Sequence, residues 1–343
     1  MKPQPLVSVV TPAYNEEKHV AECLESIIAQ TYQNWECIVV NNCSTDATGG
    51  IARRYAAKDS RIRVVDNEKL LPAVRNFNEA LRKMSTAASY CKVVFADDWI
   101  FPECIERMVE VAEESPTIGI VGAYGLQGQR VMWQGVPFPG RRIPGREICR
   151  KMFLEDVYVF GSATSVLYRA DLVRNSDRFF NESHFHGDME TAVQLMGNND
   201  FGFVHQVLTY SRPEEPGCLR KVSSDLESYS AAWFYLLALY GRAFLNDEEF
   251  RARMSFYRKQ HYAALAGGFL RAREKSFWDY HKRIMADAGI DFSRVHLAQV
   301  IFLKLLIASL NPGALIRKCW EIGSQARARR RMFFLADGGQ TNG

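Results

Sequence analysis

The 343-residue chain has no C-x-x-C pair among its 8 cysteines, no uninterrupted run of 18 apolar residues, and no G-x-G-x-x-G after its first apolar run. The first absence argues against a zinc site, the second against a spanning helix and the third against a dinucleotide-binding turn. Charge is also scarce in net terms. A formal +4 argues against a dedicated nucleic-acid binder, and no nucleic-acid partner is expected. Core-forming residues are plentiful: 47% hydrophobic and 12% aromatic residues exclude a disordered polymer and can fill one large domain or two medium ones. Cys37 and Cys91 lie in apolar runs, where a thiol acts as a small hydrophobe, and the cysteine usage fits a reducing compartment. The opening MKPQPLVSVV enters a strand at once, so no signal peptide is expected and the cytoplasm is the expected location.

Apolar runs at Val7–Thr11, Glu36–Asn41, Ile62–Asp66 and Lys92–Ala96 alternate with helical patterns at Lys18–Ala29, Ala47–Ala57, Ala73–Met84 and Glu103–Glu114. Val20, Cys23, Leu24, Ile27 and Ile28 form a helical stripe in the first of these. Such alternation predicts an α/β fold, a mostly parallel, Rossmann-like sheet flanked by helices. Further strands are expected at Ser162–Tyr168 and Phe201–Tyr210, with a helix at Met189–Met196 between them. Past Lys221 the composition changes, and Asp225–Arg331 reads as helical. We therefore expect a catalytic unit over 1–221 and a helical C-terminal region with a basic tail over 222–343.

Parallel sheets bind ligands at the carboxyl ends of their strands. Two polar clusters fall there, NNCSTD (41–46) and ADD (96–98), and are expected to share one crevice. In FADDWIFP the adjacent Asp97 and Asp98 repel each other unless a cation compensates, as magnesium or manganese on phosphate oxygens would. Helix capping is the weaker reading, because Ile100 and Phe101 separate the pair from Pro102. In TPAYNEEKHV, Pro12 is expected to stop the ladder, Asn15 to cap the helix, and Glu16 and Glu17 to suit its N-terminus. Tyr14 is left to stack on a ring or simply to pack. Ser44 or Thr45 can cap the second helix, which leaves Asn41 and Asn42 unexplained. An amide there matches the donor and acceptor edge of uracil, or closes a turn. Arg75 can fork onto phosphate oxygens, and Asn76 and Asn78 are poor helix formers beside it. Asp188 opens a helix in FHGDMETAVQLM as an N-cap or as a general base; His184 and His186 nearby have no metal-binding spacing.

The stretch VSVVTPAYNEEKHVAECLESIIAQTYQNWECIVVNNCSTDATGG, with RNFNEA and FADDWIFP, resembles the family 2 inverting glycosyltransferases, which have the A-type nucleotide-sugar transferase fold. HGDMETAVQL is similar to the segment carrying that family's base, and the likeness runs from about Leu6 to Arg212. It implies that Pro12, Tyr14 and Glu16 belong to the nucleotide-binding first loop and that Asn42 stands at the base-reading position. Arg75 matches the family's RN element. Asp97 and Asp98 match its metal-binding pair, with Asp98 the more direct ligand of Mn2+ or Mg2+, and Asp188 matches the base. The implied activity is inverting transfer from a nucleotide-diphosphate sugar, a UDP-sugar first, to a hydroxyl of a glycan or lipid-linked acceptor in surface polysaccharide synthesis. Three departures stand out: NNCSTD replaces the common DDGSTD, Phe95 replaces an aspartate, and Gly187 replaces an acid before the base. They keep two alternatives open, a non-catalytic nucleotide-sugar-binding scaffold and a nucleotidyltransferase on a similar fold.

Tyr229–Gly241 and Leu297–Leu310 are strongly apolar but shorter than the roughly 20 residues that cross a bilayer. The second is followed by Arg317, Lys318 and the cluster Arg327–Arg331. From Ser293 to Leu335 eight bases meet one acid, a net of +7. This composition leads us to expect peripheral contact with an anionic membrane on its cytoplasmic face.

Overall fold

The computed structural model describes residues 4–213 and 219–310. Its first part follows the alternation: β1 (Val7–Ala13), α1 (Val20–Ile28), β2 (Trp35–Asn41), α2 (Thr48–Ala56), β3 (Ile62–Asp66), α3 (Ala73–Leu81) and β4 (Tyr90–Val93). The strands lie in the order β3-β2-β1-β4, all parallel, because each crossover helix returns the chain to the same end of the sheet. The stripe on α1 buries Val20, Cys23, Leu24 and Ile27 against this sheet.

Pro12 does not stop the ladder. It lies inside β1, opposite Val40, and β1 continues to Ala13. Val10 faces β4, since its carbonyl accepts from Val94, so Pro12 two residues on faces the same side. There β4 has already ended at Val93, and no strand needs the missing N–H. The strand expected at Lys92–Ala96 is correspondingly shifted to Tyr90–Val93, which frees Val94 to Asp98 for the loop.

The second part comprises β5 (Trp99–Ile100), α4 (Cys104–Ala112), β6 (Ile118–Gln127), β7 (Arg130–Met132), β8 (Arg142–Pro144), α5 (Gly145–Glu155), β9 (Val166–Arg169), α6 (Ala170–Arg174), α7 (Gly187–Leu195) and β10 (Asp200–Ser211). The whole sheet has ten strands along the path β3-β2-β1-β4-β9-β6-β10-β5, with β7 and β8 at its margin. It is mixed: β9 runs antiparallel to both β4 and β6, whereas β6 and β10 are parallel. Of the strand expected at Ser162–Tyr168, Ala163–Ser165 form a 3-10 turn. That turn is pinned by Lys92, fully buried in β4, whose ammonium donates to the carbonyls of Val166 (3.1 Å) and Thr164.

Five helices follow: α8 (Leu219–Asp225), α9 (Ser228–Phe244), α10 (Asp247–Leu270), α11 (Lys275–Asp287) and α12 (Arg294–Leu310). The apolar stretch on α9 is a buried helix, with Ala231 to Leu237 shielded. Its Trp233 meets Phe153 of α5 edge to face, so these helices share one core with the sheet. A capping box formed by Asn246 and Glu249 starts α10. The basic residues Arg317, Lys318 and Arg327–Arg331 lie outside the described residues.

His261 of α10 and His281 of α11 are fully buried with ring centroids 5.0 Å apart. Burial pushes both down, to about 3 and about 4, and His281 further disfavours charge on His261. Neither nitrogen of His261 has a partner among the described residues. Unfolded histidines protonate near 6.5, so the unfolded state gains protons first and stability falls as pH drops from 6.5 toward 4. Each histidine contributes up to about 1.4 kcal/mol per pH unit. Asp188, raised to about 6, acts oppositely and offsets part of this loss between pH 6 and 4. Urea midpoints measured between pH 7 and 4.5 should decline, and His261→Leu should flatten the slope; an unchanged slope would refute this account.

Candidate active site

A cavity of about 1310 Å³ opens at the carboxyl ends of β1, β2 and β4 and extends to the C-terminal helices. Asn42, Asp97 and Asp188 all line it, as do Pro12, Tyr14 and Glu16. The two polar clusters and the candidate base, distant in sequence, thus meet at one crevice.

The loops after β1 and β2 clasp each other. Asn15 does not cap α1; with φ 55° it donates its N–H to Ser44 Oγ (3.1 Å) and accepts from Thr45 N (2.9 Å). The Glu16 amide donates to Thr48 Oγ1 (2.7 Å) and the Glu17 amide to Asp46 Oδ2 (3.0 Å). Neither Ser44 nor Thr45 caps α2. Glu17 accepts from Ala47 N and Asp46 from Thr48 N, both at 3.0 Å, which satisfies the first donors of that helix. Ser44, Thr45 and Asp46 of NNCSTD, with Thr48, therefore fix the loop that carries Tyr14 and Glu16.

Asn41 and Asn42 are both buried. Asn41 donates to Asp66 Oδ1 (2.7 Å). Asn42 donates to Leu71 O (2.9 Å) and accepts from Leu71 N (3.0 Å) and Asn67 Nδ2 (2.8 Å). Its carbonyl is saturated and it engages a backbone amide as it would engage a base edge. Of the two readings for Asn42, a base-edge amide or a turn-closing one, its side chain bonds the Leu71 backbone and so holds Leu70–Pro72, which line the cavity.

Arg75 is exposed on α3 and is not among the lining residues; its neighbours Asn76 and Phe77 are. Helical geometry turns Arg75 away when Asn76 faces inward. The poor helix formers on α3 prove to be buried ties. Asn76 accepts from Asn67 (2.8 Å), and Asn78 clamps Phe180 through both N–H and C=O, at 2.9 and 2.8 Å.

The acidic pair splits. Asp97 faces the cavity, whereas Asp98 is 1% exposed and accepts from Ser211 Oγ of β10 (3.2 Å). The turn at Ala96 and Asp97 thus gives Asp97 the cavity wall and Asp98 the buried position beside Ser211. Phe95, where the aspartate was missing, lines the cavity and packs on Phe77 with centroids 4.8 Å apart. Among the described residues no group of three or more His, Cys, Asp or Glu side chains could hold a metal ion by itself. One inward carboxylate fits a hard cation that takes its remaining ligands from substrate phosphates and water.

Asp188 sits in the first turn of α7, partly buried, with Oδ1 accepting from Met189 N (2.9 Å). Desolvation pushes its carboxyl up to about 6, against the lowering effect of its backbone bonds and of His184. An acidic residue cannot precede it, since a Cβ on Gly187 would lie 2.8 Å from the Asn181 carbonyl oxygen. The loop before it is held by His184, whose Nδ1 accepts from His186 N (3.1 Å) and whose Nε2–H therefore donates to Glu190 (2.7 Å). Glu190 also accepts from Asn181 (2.8 Å), Tyr240 (2.6 Å) and Tyr235 (3.3 Å). Burial raises its carboxyl, but the bonds from His184, Tyr240 and Asn181 outweigh that and leave it lowered. His186 lines the cavity, bonded to Ser228 Oγ (2.8 Å), and burial lowers it to about 4, so it is uncharged at neutral pH.

Several lining residues escaped sequence reasoning. Trp133, at φ 66°, approaches Gly161, where a Cβ would lie 3.3 Å from the indole nitrogen. With Tyr158 and Tyr229 it gives the Asp188 side an aromatic wall. Arg212, just past β10, is the only Arg or Lys among the described residues that line the cavity, and it is paired with Glu22 of α1. Its only sequence signal was an arginine following a strand.

The model of the glycosyl transferase family 2 matches residues 8–174. The putative glycosyltransferase EpsE of Bacillus subtilis is 30% identical over 224 residues, 62% of this chain and 80% of EpsE. Among solved structures, S. aureus TarS 1–349 in complex with UDP-GlcNAc superposes with a TM-score of 0.59 at 19% identity, covering 82% of this chain and 80% of TarS 1–349. The mannosyltransferase PcManGT of Pyrobaculum calidifontis, in complex with GDP-Man and Mn2+, gives 0.53 at 17% identity, covering 91% and 82%. The structural likenesses agree with the A-type nucleotide-sugar transferase fold described above. With a curated relative matched over most of its length and the family's motifs gathered at one crevice, this chain belongs to the family 2 glycosyltransferases.

Proposed function

We propose that the protein moves a sugar, with inversion, from a nucleotide-diphosphate sugar to a hydroxyl of a glycan or lipid-linked acceptor in surface polysaccharide synthesis. The observation that carries this reading is the presence of Asp97 and Asp188 in one cavity, with Asp188 raised to about 6. A carboxylate of that basicity is ionised at neutral pH yet basic enough to accept a proton from an attacking hydroxyl. The acceptor oxygen forms its bond to the anomeric carbon as the bond to the phosphate oxygen breaks, and nucleoside diphosphate leaves. A single displacement inverts that carbon and needs no covalent enzyme intermediate. A divalent cation, Mn2+ or Mg2+, held by Asp97 would neutralise charge on the leaving diphosphate. Arg212 lines the same cavity beside its partner Glu22, and its guanidinium suits phosphate oxygens. The aromatic wall of Trp133, Tyr158 and Tyr229 suits the apolar face of a sugar ring.

UDP-GlcNAc in TarS and GDP-Man with Mn2+ in PcManGT support a nucleotide-diphosphate sugar donor and a divalent partner. A UDP-sugar is the first donor to test. Asn42 acts in this reading as a positioning residue for Leu70–Pro72. Incubation with UDP-sugars and Mn2+ should release UDP, and chelation should stop it. Asp97→Asn should lower kcat/KM by about 10²–10³-fold, the scale of losing one electrostatic stabiliser. Release of pyrophosphate would favour the nucleotidyltransferase alternative, and binding without turnover the scaffold.

A further inference from the structure

Helix α12 has the wrong surface for a water-facing helix. Its inner side packs on α10 through Leu297, and Lys304 turns inward to donate to the Ala263 carbonyl (2.7 Å). The outer side of its last turns carries Phe302, Leu303, Leu305, Leu306, Ile307 and Leu310, from 43% to 77% exposed. A helix at a water interface places polar residues there, and a contiguous exposed apolar face marks a partner. The helix contains no acidic residue, and the stretch from Ser293 to Leu335 carries eight bases against one acid. A second copy of the chain would bring the same positive charge to the same place, which disfavours self-association. No described helix is long and apolar enough to cross a membrane. An apolar face followed in the sequence by charge of one sign matches a surface with an apolar interior and anionic headgroups.

We propose that α12 docks the protein on an anionic lipid surface, lying in the headgroup plane with its Phe302-to-Leu310 face in the acyl boundary. The docked helix rests on α10, which contributes Ala264 to the cavity wall next to the Ala263 carbonyl that holds Lys304. The lipid-facing surface is thus one helix removed from the cavity. The inference rests on this surface alone and stands whether or not the transferase reading does.

The test is cosedimentation of the full chain with phosphatidylcholine vesicles, with and without phosphatidylglycerol, at low and high salt. Binding is expected to the anionic vesicles and to weaken with salt. Phe302→Glu combined with Leu306→Glu should lower the partition at least about 10-fold, since each buried apolar side chain carries a tenfold effect or more. A cooperative melting transition like that of the wild type checks that the variant is folded. If that transition is lost, Leu310→Asp, at the most exposed large apolar side chain of the helix, replaces it with the same expected direction. Equal partition of variant and wild type would overturn the proposal. So would a wild-type chain that stays in the supernatant, one that binds both vesicle types alike, or a dimer that the variant converts to monomer.

Discussion

Asp188→Asn should abolish measurable sugar transfer, a fall in kcat of about 10²–10⁴-fold, the usual scale for losing a positioned base. Asparagine keeps the volume and the Oδ1 acceptor for Met189 N, so α7 should start as before. Donor binding should persist, because the donor phosphates are assigned to the Asp97 and Arg212 side of the cavity. The wild-type pH profile supplies a second reading. The base acts only when deprotonated, and burial raises it to about 6. kcat/KM should therefore climb as pH rises through about 6 and level off above it. An ordinary carboxylate would place that limb near 4. Stopped assays of UDP release across pH 5 to 8, with isothermal titration of the donor, would decide. Full activity in the asparagine variant, or a limb near 4, removes Asp188 from the proposed role.

Glu190→Ala should be the most damaging substitution outside the lining residues. Its carboxylate accepts from His184, Asn181, Tyr235 and Tyr240, joining the loop before Asp188 to α9. Removing it strands several buried donors, each costing about 1–3 kcal/mol when left unmade. We expect a loss of about 3 kcal/mol, a fall in Tm of roughly 4 °C for a chain of this size. A structural tie alone would stop there. Because His184 also fixes the His186 amide, the base should lose its aim, so kcat should fall more than KM rises even well below the melting range. Tyr240→Phe removes one donor and leaves the rest, and should move Tm slightly with kcat unchanged. Equal loss of kcat in both variants, or a KM effect alone, would refute the positioning role.

The legible and illegible parts of the site divide on physical grounds. The βα alternation, the crevice at the strand ends and the meeting of NNCSTD with ADD followed from hydrophobic period and sheet topology. The roles within each motif did not. Adjacent Asp97 and Asp98 are equivalent as letters, and only the turn after β4 sends one into the cavity and the other to Ser211. Asn42 reads as a free amide until Leu71, 29 residues later, is seen to occupy it. Arg75 is charged and conspicuous, but the helix phase that buries Asn76 leaves it outside. Glu190 looked like an ordinary helix acid because its partners on α9 lie 45 and 50 residues away.

Local order thus determined a great deal unaided: which segments form strands and helices, and that hydroxyl, amide and carboxylate groups gather at the strand ends. Those properties depend on neighbours within a few residues, so the chain carries them in its letters. Which atoms remain free for a substrate, how far Asp188 is stripped of water and which face of α12 is left uncovered depend on groups remote along the backbone. Desolvation and hydrogen-bond competition are properties of the packed interior, and only the tertiary structure decided them.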